Sequence, residues 1–262
     1  MAKSLEELEM LRWDMRRDCV DIIMAGGGGH IGGDMSVIDA LLVLYENYLK
    51  ISPETAEDPN RDRFVLSKGH AILCFRGFLD FDDVKERFSK FGSPYIGHPN
   101  NKLPGIEMNS GSLGHGLPVA VGMALAAKMD RCAYRTYVFM GDGELAEGSV
   151  WEGVMSGSNF ALDNLCALVD RNRLQISGST EGVMKQDSQE ERWAAFGWNV
   201  LSISGNDLAA LNDAFDLAAK TKGKPTVIIA NTIKGFGSTV MENKAVWHHK
   251  LPTIEEYTQI VA

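Results

Sequence analysis

The chain has 262 residues, 35 of them acidic and 26 basic, which gives a formal net charge of −9. This balance argues against binding to nucleic acid or to an anionic membrane, because such proteins meet phosphate groups with clustered lysine and arginine side chains. With 45% hydrophobic and 23% charged residues, the composition is typical of a globular protein. The longest apolar stretch is far below the about 20 residues that cross a membrane, and the acidic start is unlike a signal peptide, so we expect a cytoplasmic protein.

The first part of the chain is predicted to contain two helices and a strand. Ser4 and Glu7 have the spacing of a capping box, and apolar residues recur behind them at helical intervals, so the first helix begins there. A run of four glycines ends it, and a second helix is predicted to start at Ser36. Residues 64–66 read as a short buried strand, and a polar helix is expected around 82–91.

From residue 117 onward, helical and strand-like segments alternate. The predicted elements are helices at 117–129, 147–160, 188–196 and 207–220, and strands at 134–140, 165–170, 200–203 and 226–230. This alternation indicates an α/β fold, with a doubly wound, mostly parallel sheet and helices on both faces. Thr253 and Glu256 have the spacing of a cap for a terminal helix. No repeat or linker divides the sequence, so residues 1–262 are predicted to form one domain, with ligands at the carboxyl ends of the strands.

Polar residues follow two neighbouring predicted strands. Gly141-Asp142-Gly143 comes directly after one strand, and Asp170-Arg171-Asn172 ends the next. A right-handed crossover places the ends of parallel strands side by side, so Asp142 and Asn172 can offer oxygens to one hard cation, with the Leu174 carbonyl as a third ligand. Mg²⁺ prefers one or two carboxylates together with phosphate oxygens, so the pair points to a metal-bound diphosphate. Read singly, Asp142 could instead cap a helix, and Asn172 could belong to a turn.

The histidines form a second pattern. Four of the six follow a glycine in a turn-like segment, and two are adjacent after the last predicted strand: His30, His70, His98, His115, His248 and His249. Each one alone is more often an ordinary surface or core side chain. Loops at one end of a sheet can converge, however, and imidazoles suit proton transfer and hydroxyl recognition near neutral pH. The set therefore favours a site for a polyol or sugar.

Six ordered motifs resemble the amino-terminal, diphosphate-binding domain of transketolase. They are Gly29-His30-Ile31-Gly32-Gly33, Phe64-Val65-Leu66-Ser67-Lys68-Gly69-His70-Ala71, Gly97-His98-Pro99, Gly111-Ser112-Leu113-Gly114-His115-Gly116, Gly141-Asp142-Gly143 with Asp170-Arg171-Asn172, and Asn231-Thr232-Ile233-Lys234-Gly235-Phe236-Gly237. The resemblance covers nearly the whole chain and is greatest to split transketolases, in which this domain is a separate subunit. It implies thiamine diphosphate as cofactor, together with Mg²⁺ or, in its place, Ca²⁺ or Mn²⁺.

The resemblance also implies roles for individual residues. The metal ligands would be Asp142, Asn172 and the carbonyl of Leu174. The residues at the cofactor would be His70, Gly111, Leu113, Gly143, Asn172 and Glu147, of which Glu147 matches a glutamate at the subunit interface behind the cofactor. The catalytic histidines that line the donor-sugar channel would be His30, His98 and His248.

For activity, the resemblance implies transfer of a two-carbon ketol unit from a ketose to an aldose. Cleavage of the ketose leaves a carbanion, and the thiazolium ring of the cofactor supplies the electron sink. In the family, a glutamate on a following pyrimidine-binding domain activates the cofactor, and this sequence contains no such domain. We therefore expect the chain to act only with a partner chain that carries the pyrimidine-binding domain, as an α2β2 heterotetramer that uses sugars or sugar phosphates.

Other interpretations stay open at this point. The chain could belong to another thiamine enzyme, either one similar to deoxyxylulose-phosphate synthase or one that decarboxylates a 2-oxo acid. It could also be a non-catalytic, regulatory thiamine-binding subunit. It departs from the family pattern at Ile31, His115 and Arg171, and His248-His249 replaces the usual His-Gly, which leaves open which of the two histidines lines the site.

Overall fold

A computed structural model describes residues 2–68 and 78–261. The α-helices in these ranges are α1 (Leu5–Gly26), α2 (Ile31–Val43), α3 (Phe81–Arg87), α4 (Gly116–Met129), α5 (Gly148–Asn159), α6 (Thr180–Val183), α7 (Gln189–Ala195), α8 (Leu208–Lys220) and α9 (Ile254–Val261). The strands are β1 (Arg63–Leu66), β2 (Thr136–Gly141), β3 (Leu165–Arg171), β4 (Leu174–Gln175), β5 (Gly178–Ser179), β6 (Asn199–Ser204) and β7 (Thr226–Asn231). Short 3₁₀ or π turns lie at Leu44–Tyr48, Pro53–Thr55, Gly143–Ala146 and Ala245–His248.

Five of these strands form one parallel sheet in the order β1-β2-β3-β7-β6. β2 and β3 are paired in register from Thr136 with Leu165 to Gly141 with Asp170. β4 and β5 form a separate antiparallel hairpin. The predicted α/β class with a mostly parallel sheet is confirmed. Because neighbouring parallel strands end at the same edge, the polar segments after β1, β2, β3 and β7 meet there.

Alternate residues of the central strands pack into two apolar cores. Cys166 and Leu168 of β3 face a core shared with α2 and α8. Ala167 and Val169 of the same strand face a second core, shared with α4 and α5. The sheet is therefore covered by helices on both faces, which explains why its central strands are apolar throughout rather than alternating. None of the helices in the described ranges combines the length and the apolar character needed to span a membrane.

The first helix begins and ends where the sequence predicts. The hydroxyl of Ser4 accepts from the N–H of Glu7 at 3.2 Å, and the Glu7 carboxylate accepts from the N–H of Ser4 at 2.7 Å. α1 ends at Gly26, and Gly27 adopts the left-handed conformation, with φ of 79°, that glycine tolerates without strain. Both the capping box and the glycine stop are confirmed.

The predicted start of the second helix at Ser36 is wrong, because α2 begins five residues earlier at Ile31. Its first turn contains Gly32, where a Cβ atom would lie 2.6 Å from the carbonyl oxygen of Trp247. This glycine therefore serves close packing, and it does not break the helix. Ser36 lies inside α2, and its hydroxyl donates to the carboxylate of Asp170 at 2.6 Å.

The remaining helix and strand predictions agree with the structure to within about two residues at most ends. One exception is α3, which ends at Arg87 instead of residue 91, because the backbone of Phe88 becomes extended and its side chain is buried. The hairpin of β4 and β5 and the short helix α6 were not predicted. Gly69, His70 and Ala71, the last residues of the second sequence motif, lie outside the described residues.

A buried ion-pair network joins α1 to α2. The fully buried carboxylate of Asp39 accepts from Arg12, at 3.1 and 2.9 Å, and from Arg16, at 2.8 and 2.9 Å. Arg16 also donates to the carbonyl of Phe236 at 3.1 Å, in the segment that follows β7. One carboxylate therefore compensates two guanidinium groups and ties the first helix to the last part of the sheet.

We expect Asp39→Asn to lower the free energy of unfolding by about 3–5 kcal/mol, because both guanidinium groups lose their buried counter-charge and Arg12 keeps only its pair with the exposed Glu9. Urea unfolding of the full chain at neutral pH measures this loss. The matched control is Asp216→Asn, which removes an exposed pair with Lys220 and should cost about 0.5 kcal/mol or less. Similar losses in the two variants would contradict the importance assigned to the buried network.

Candidate active site

A cavity of about 320 Å³ lies at the carboxyl edge of the sheet, where its topology brings four strand ends together. The predicted site residues in its lining are Leu113, Asp142, Gly143, Asn172, Leu174 and His248. Lys68, Glu144, Asp170 and Lys234 also line it, and sequence reasoning assigned no role to these four. The cavity therefore combines the residues of several separate motifs in one place.

The pairing of β2 with β3 positions the two candidate metal ligands. Asp142 and Asn172 directly follow these strands, and both side chains line the cavity. The buried carboxylate of Asp142 accepts from the N–H of Gly143 at 2.9 Å and from the N–H of Arg173 at 2.5 Å. Burial and the nearby charge of Asp170 raise the pKa of Asp142 to about 7. A divalent cation at this carboxylate would offset both effects.

The donor set at this position is rich in oxygen. The side-chain oxygen of Asn172 accepts from the N–H of Leu174 at 3.1 Å, so both residues belong to one tight turn. Within the described ranges, no group of three or more His, Cys, Asp or Glu side chains could hold a metal ion. A cation here would be held by one carboxylate, one amide oxygen and a backbone carbonyl, with other oxygens from a ligand and water. That incomplete set suits Mg²⁺ bound together with a phosphate ligand.

Two buried lysines face the same cavity. The ammonium group of Lys68 donates to the carbonyl of Gly33 at 2.7 Å and to the carboxylate of Asp170 at 2.6 Å. Lys234 Nζ lies 3.3 Å from the carbonyl oxygen of Leu174 and 3.1 Å from Nδ1 of His248. Burial and the charge of Lys68 lower the pKa of Lys234 to about 8. Both lysines could have been predicted as site residues from the sequence, because they lie just after the ends of β1 and β7.

Asp170 connects these segments from the end of β3. Its fully buried carboxylate accepts from Ser36 at 2.6 Å, from Lys68 and from the hydroxyl of Thr232. Burial favours its neutral form, but the charge of Lys68 and these hydrogen bonds outweigh burial and hold the pKa of Asp170 below its ordinary value. It therefore carries its charge at neutral pH and fixes α2 and the ends of β1 and β7 around the cavity.

The charges in the cavity lining do not balance. Among the described residues of the lining, three carboxylates face two ammonium groups: Asp142, Glu144 and Asp170 against Lys68 and Lys234. In their ionised forms they leave an excess of negative charge, which would repel a diphosphate that arrived alone. A divalent cation would reverse that sign and let the two lysines attract the phosphate oxygens. The residues present therefore fit a diphosphate only when a divalent cation is bound with it.

The segment from Gly111 to Gly114 supplies backbone groups at a second wall of the cavity. Gly111 has φ of +123°, and a Cβ atom there would lie 2.8 Å from Cδ2 of His98. Leu113 lines the cavity, while Gly111 packs on the imidazole of His98. Only glycine allows the backbone to approach the ring this closely.

Four histidines form one cluster beside the cavity. The ring centroid of His30 lies 5.4 Å from that of His98, 5.7 Å from that of His248 and 4.7 Å from that of His249. The structure thus brings together the three predicted catalytic histidines. His248 lines the cavity, whereas His249 packs against His30 with an exposed side chain, so both of the adjacent histidines belong to the cluster.

Burial lowers the pKa of three imidazoles of the cluster, those of His30, His98 and His248. Burial and the neighbouring His249 and His98 lower the pKa of His30 to about 4. Burial and the charge of Lys234 lower the pKa of His248 to about 3, and burial also lowers that of His98. Near neutral pH each ring can therefore donate one hydrogen bond and accept another, as contacts to sugar hydroxyls require.

Of the other predicted residues, Gly111 is not in the lining of the cavity, His115 and Glu147 lie apart from it, and His70 cannot be placed. His115 and Glu147 occupy the N-cap positions of α4 and α5, and both side chains are exposed. Glu147 packs beside Gly114 instead of lining the cavity. His70 lies outside the described residues, so its predicted contact with the diphosphate stays a prediction.

Comparison with known proteins gives a consistent set of matches. Residues 11–256 match the family described as the thiamine diphosphate binding domain of transketolase. The chain is 46% identical over 264 aligned positions to an apulose-4-phosphate transketolase subunit of Phocaeicola vulgatus, with 98% of this chain and 94% of that protein aligned. It is 38% identical over 243 positions to a 6-deoxy-6-sulfo-D-fructose transketolase subunit of a Clostridium species, with 90% and 88% aligned.

Solved structures extend the likeness to the fold. The transketolase of Campylobacter jejuni superposes on 98% of this chain with a TM-score of 0.92 and 31% sequence identity. A transketolase variant of Pichia stipitis superposes on 97% of the chain with a TM-score of 0.89 and 31% identity. The chain spans 42% of the first of these proteins and 40% of the second.

The lowered pKa of His30 predicts a loss of stability in mild acid. Unfolding returns His30 to its ordinary pKa of 6.5, while the folded chain binds this proton only near pH 4, so the unfolded state takes up more protons between these values. Stability should therefore fall as the pH drops from 6.5 toward 4, and His30→Gln should lessen that fall.

Urea unfolding of the full chain at neutral pH and near pH 5 measures the difference. His115→Gln, at an exposed position outside the cluster, is the control and should keep the wild-type pH dependence. An unchanged pH dependence in His30→Gln would show that the folded imidazole titrates near its ordinary value.

Proposed function

The chain belongs to the transketolase family through its thiamine diphosphate-binding domain, and we propose that it is the cofactor- and metal-binding subunit of a two-subunit transketolase. The resemblance carried by the sequence motifs is thereby confirmed. The reaction is the transfer of a two-carbon ketol unit from a ketose to an aldose. The observation that carries the proposal is one cavity in which the strand-end pair Asp142 and Asn172 meets two buried lysines and His248, with the other histidines of the cluster beside it.

Each part of the cavity has a role in holding the cofactor. Bound thiamine diphosphate supplies the electron sink for the carbanion that is left when the bond between C2 and C3 of the ketose breaks. Asp142, Asn172 and the carbonyl of Leu174 would hold Mg²⁺. The backbone of Gly143 and the ammonium groups of Lys68 and Lys234 would meet the diphosphate. The residues that would contact the rings of the cofactor are Gly111 and Leu113.

The histidine cluster would bind and orient the ketose. A neutral imidazole accepts a hydrogen bond from one hydroxyl and donates a hydrogen bond to another, whereas a cationic imidazole can only donate. His30 and His248 would handle protons at the hydroxyls of the two-carbon unit, while His98, packed on Gly111, would fix one side of the channel. Holding the donor in this orientation lowers the entropic part of the barrier.

We include a partner chain in the proposal. Two relatives aligned over most of their length are named as transketolase subunits, and solved transketolases are more than twice as long as this chain. The partner would carry the pyrimidine-binding domain, and the two chains would form an α2β2 heterotetramer. Glu147 would lie at the interface between the chains; its exposed side chain, which packs beside Gly114, is accessible to a partner. A cytoplasmic location belongs to the same proposal.

The donor is proposed to be a ketose or ketose phosphate. Relatives named for apulose 4-phosphate and for 6-deoxy-6-sulfo-D-fructose both align with at least 90% of this chain. Both relatives resemble this chain along most of its length, although they are named for different sugars. We therefore propose that the partner chain recognises the end of the sugar that is distant from the two-carbon unit. Apulose 4-phosphate is the first donor to test, because the relative named for it is 46% identical.

The proposal is tested by combining the chain with its partner, thiamine diphosphate and Mg²⁺, and following donor and acceptor sugars by mass spectrometry. We expect an acceptor aldose to gain the two-carbon unit only when both chains are present. Consumption of a 2-oxo acid with release of carbon dioxide, without exchange between ketose and aldose, would overturn it. Full turnover by this chain alone would overturn the need for a partner.

Asp142→Ala should strongly weaken the binding of thiamine diphosphate in the presence of Mg²⁺. Loss of a residue that only supports a metal ligand typically weakens binding by about 10–100-fold, and we expect a larger effect here. The reason is that the cavity then lacks the carboxylate that holds the cation. Isothermal titration of the assembled enzyme measures the dissociation constant. Asp163→Asn, before the start of β3 and thus at the opposite edge of the sheet, is the control and should bind as the wild type does. Equal affinity in Asp142→Ala would contradict the metal assignment.

A further inference from the structure

Glu144 is a buried carboxylate that the proposed function leaves without a role. It lies in the 3₁₀ turn Gly143–Ala146, two residues after Asp142, and only 2% of it is exposed. Its side chain lines the cavity. Burying a carboxylate costs free energy unless its oxygens are hydrogen-bonded, so the donors that surround it indicate what it does.

Three separate segments of the chain donate to this one carboxylate. The hydroxyl of Ser67, which follows β1, donates to Oε1 in a short hydrogen bond. The N–H of Gly114, shortly before α4, donates to the same oxygen at 2.9 Å. The N–H of Gly141, at the end of β2, donates to Oε2 at 3.3 Å. Both oxygens therefore act as acceptors, and the three segments are joined through one side chain.

Close packing supports the same junction. The hydroxyl of Ser67 also accepts from the N–H of Gly116 at 3.1 Å. A Cβ atom at Gly116 would lie 2.2 Å from the side chain of Ser67, and one at Gly114 would lie 2.7 Å from Cβ of Glu147. The two glycines therefore allow the backbone at the start of α4 to approach Ser67 and Glu147 directly.

Each joined segment carries one group that the proposed function assigns to the cofactor. Ser67 is followed by Lys68, Gly114 is preceded by Leu113, and Gly141 is followed by Asp142. Each donor to Glu144 is thus the direct sequence neighbour of a residue proposed to hold the cofactor or its metal ion. The separation of these groups has to match a cofactor of fixed length, whose diphosphate and rings bind at different walls.

We propose that Glu144 is a positioning residue for thiamine diphosphate, which sets the relative positions of the Lys68, Leu113 and Asp142 segments before the cofactor binds. The inference rests on the proposed function for the identity of the ligand, whereas the three hydrogen bonds are independent of it. A carboxylate is required because both oxygens accept. In a glutamine, one terminal atom is an NH₂ donor, and it would face either the N–H of Gly141 or the two donors at the other oxygen.

The test uses Glu144→Gln, with Glu242→Gln as matched control. Glu242 also accepts from a backbone N–H, that of Gly237 at 3.0 Å, and does not line the cavity. Hydrogen exchange of the full chain without cofactor is the first measurement. The amides of Gly114 and Gly141 should exchange at least about tenfold faster in Glu144→Gln, while those of β3 stay unchanged. Wild-type exchange at both glycines would overturn the proposal, whatever the cofactor is.

The second measurement is the dissociation constant for thiamine diphosphate with Mg²⁺, determined by isothermal titration of the assembled enzyme. We expect Glu144→Gln to weaken binding by about 10–100-fold. A merely structural role would instead lower the thermal stability with an unchanged dissociation constant, and that result would overturn the proposal.

Ser67→Ala provides a second route if Glu144→Gln does not fold. It removes one of the three donors and leaves both amide contacts, so a smaller loss of cofactor affinity, about 3–10-fold, is expected. Unchanged affinity in this variant would count against the proposal. If the wild-type enzyme binds no thiamine diphosphate at all, the proposed function fails, and the exchange rates of Gly114 and Gly141 still decide whether Glu144 joins the three segments.

Discussion

The buried charge of Asp170 is the interaction on which the architecture of the site depends. A carboxylate removed from water costs several kcal/mol unless it is paired and fully hydrogen-bonded. Its donors are Asn172, two residues along, and groups from three other segments: Ser36 in α2, Lys68 after β1 and Thr232 after β7. None of these three segments can move away without taking a hydrogen bond or the counter-charge from the buried carboxylate. Folding of the sheet therefore also assembles the cavity. Asp170 lies near the end of β3, and its hydrogen bonds hold α2 and the ends of β1 and β7 close to it.

The acidic excess of the lining makes binding of the cation and binding of the diphosphate mutually dependent. When Asp142 and Glu144 are ionised, a diphosphate alone meets more negative than positive charge on the described residues of the lining, and a cation alone finds only one carboxylate, one amide and a carbonyl within the proposed ligand set. Each ligand supplies what the other lacks, so the two stabilise the cavity together. The raised pKa of Asp142, about 7, has the same origin, since it reflects a buried carboxylate close to the charge of Asp170.

Much of this arrangement could be predicted from the sequence, because it is recorded in local patterns. The capping box of Ser4 and Glu7 is a local hydrogen-bond motif, and the adjacency of Asp142 and Asn172 follows from one crossover between parallel strands. The start of α2 could not be predicted, because Gly32 is needed for its contact with Trp247, far away in the chain. The role of Glu144 could not be predicted either, because it depends on hydrogen-bond donors from three segments of the chain. Local sequence predicts elements and strand ends, whereas contacts between distant segments appear only in the folded chain.

The lysines proposed to bind the diphosphate also influence the protonation of the histidines. Lys234 lies 3.3 Å from the Leu174 carbonyl at the metal end and 3.1 Å from His248 at the sugar end. Its positive charge opposes protonation of His248, and together with burial it holds the pKa of that ring at about 3. A neutral ring keeps an acceptor for a sugar hydroxyl, whereas a cationic ring would only donate. The two ends of the cavity are thus electrostatically coupled, and one buried lysine serves both the anion and the imidazole beside it.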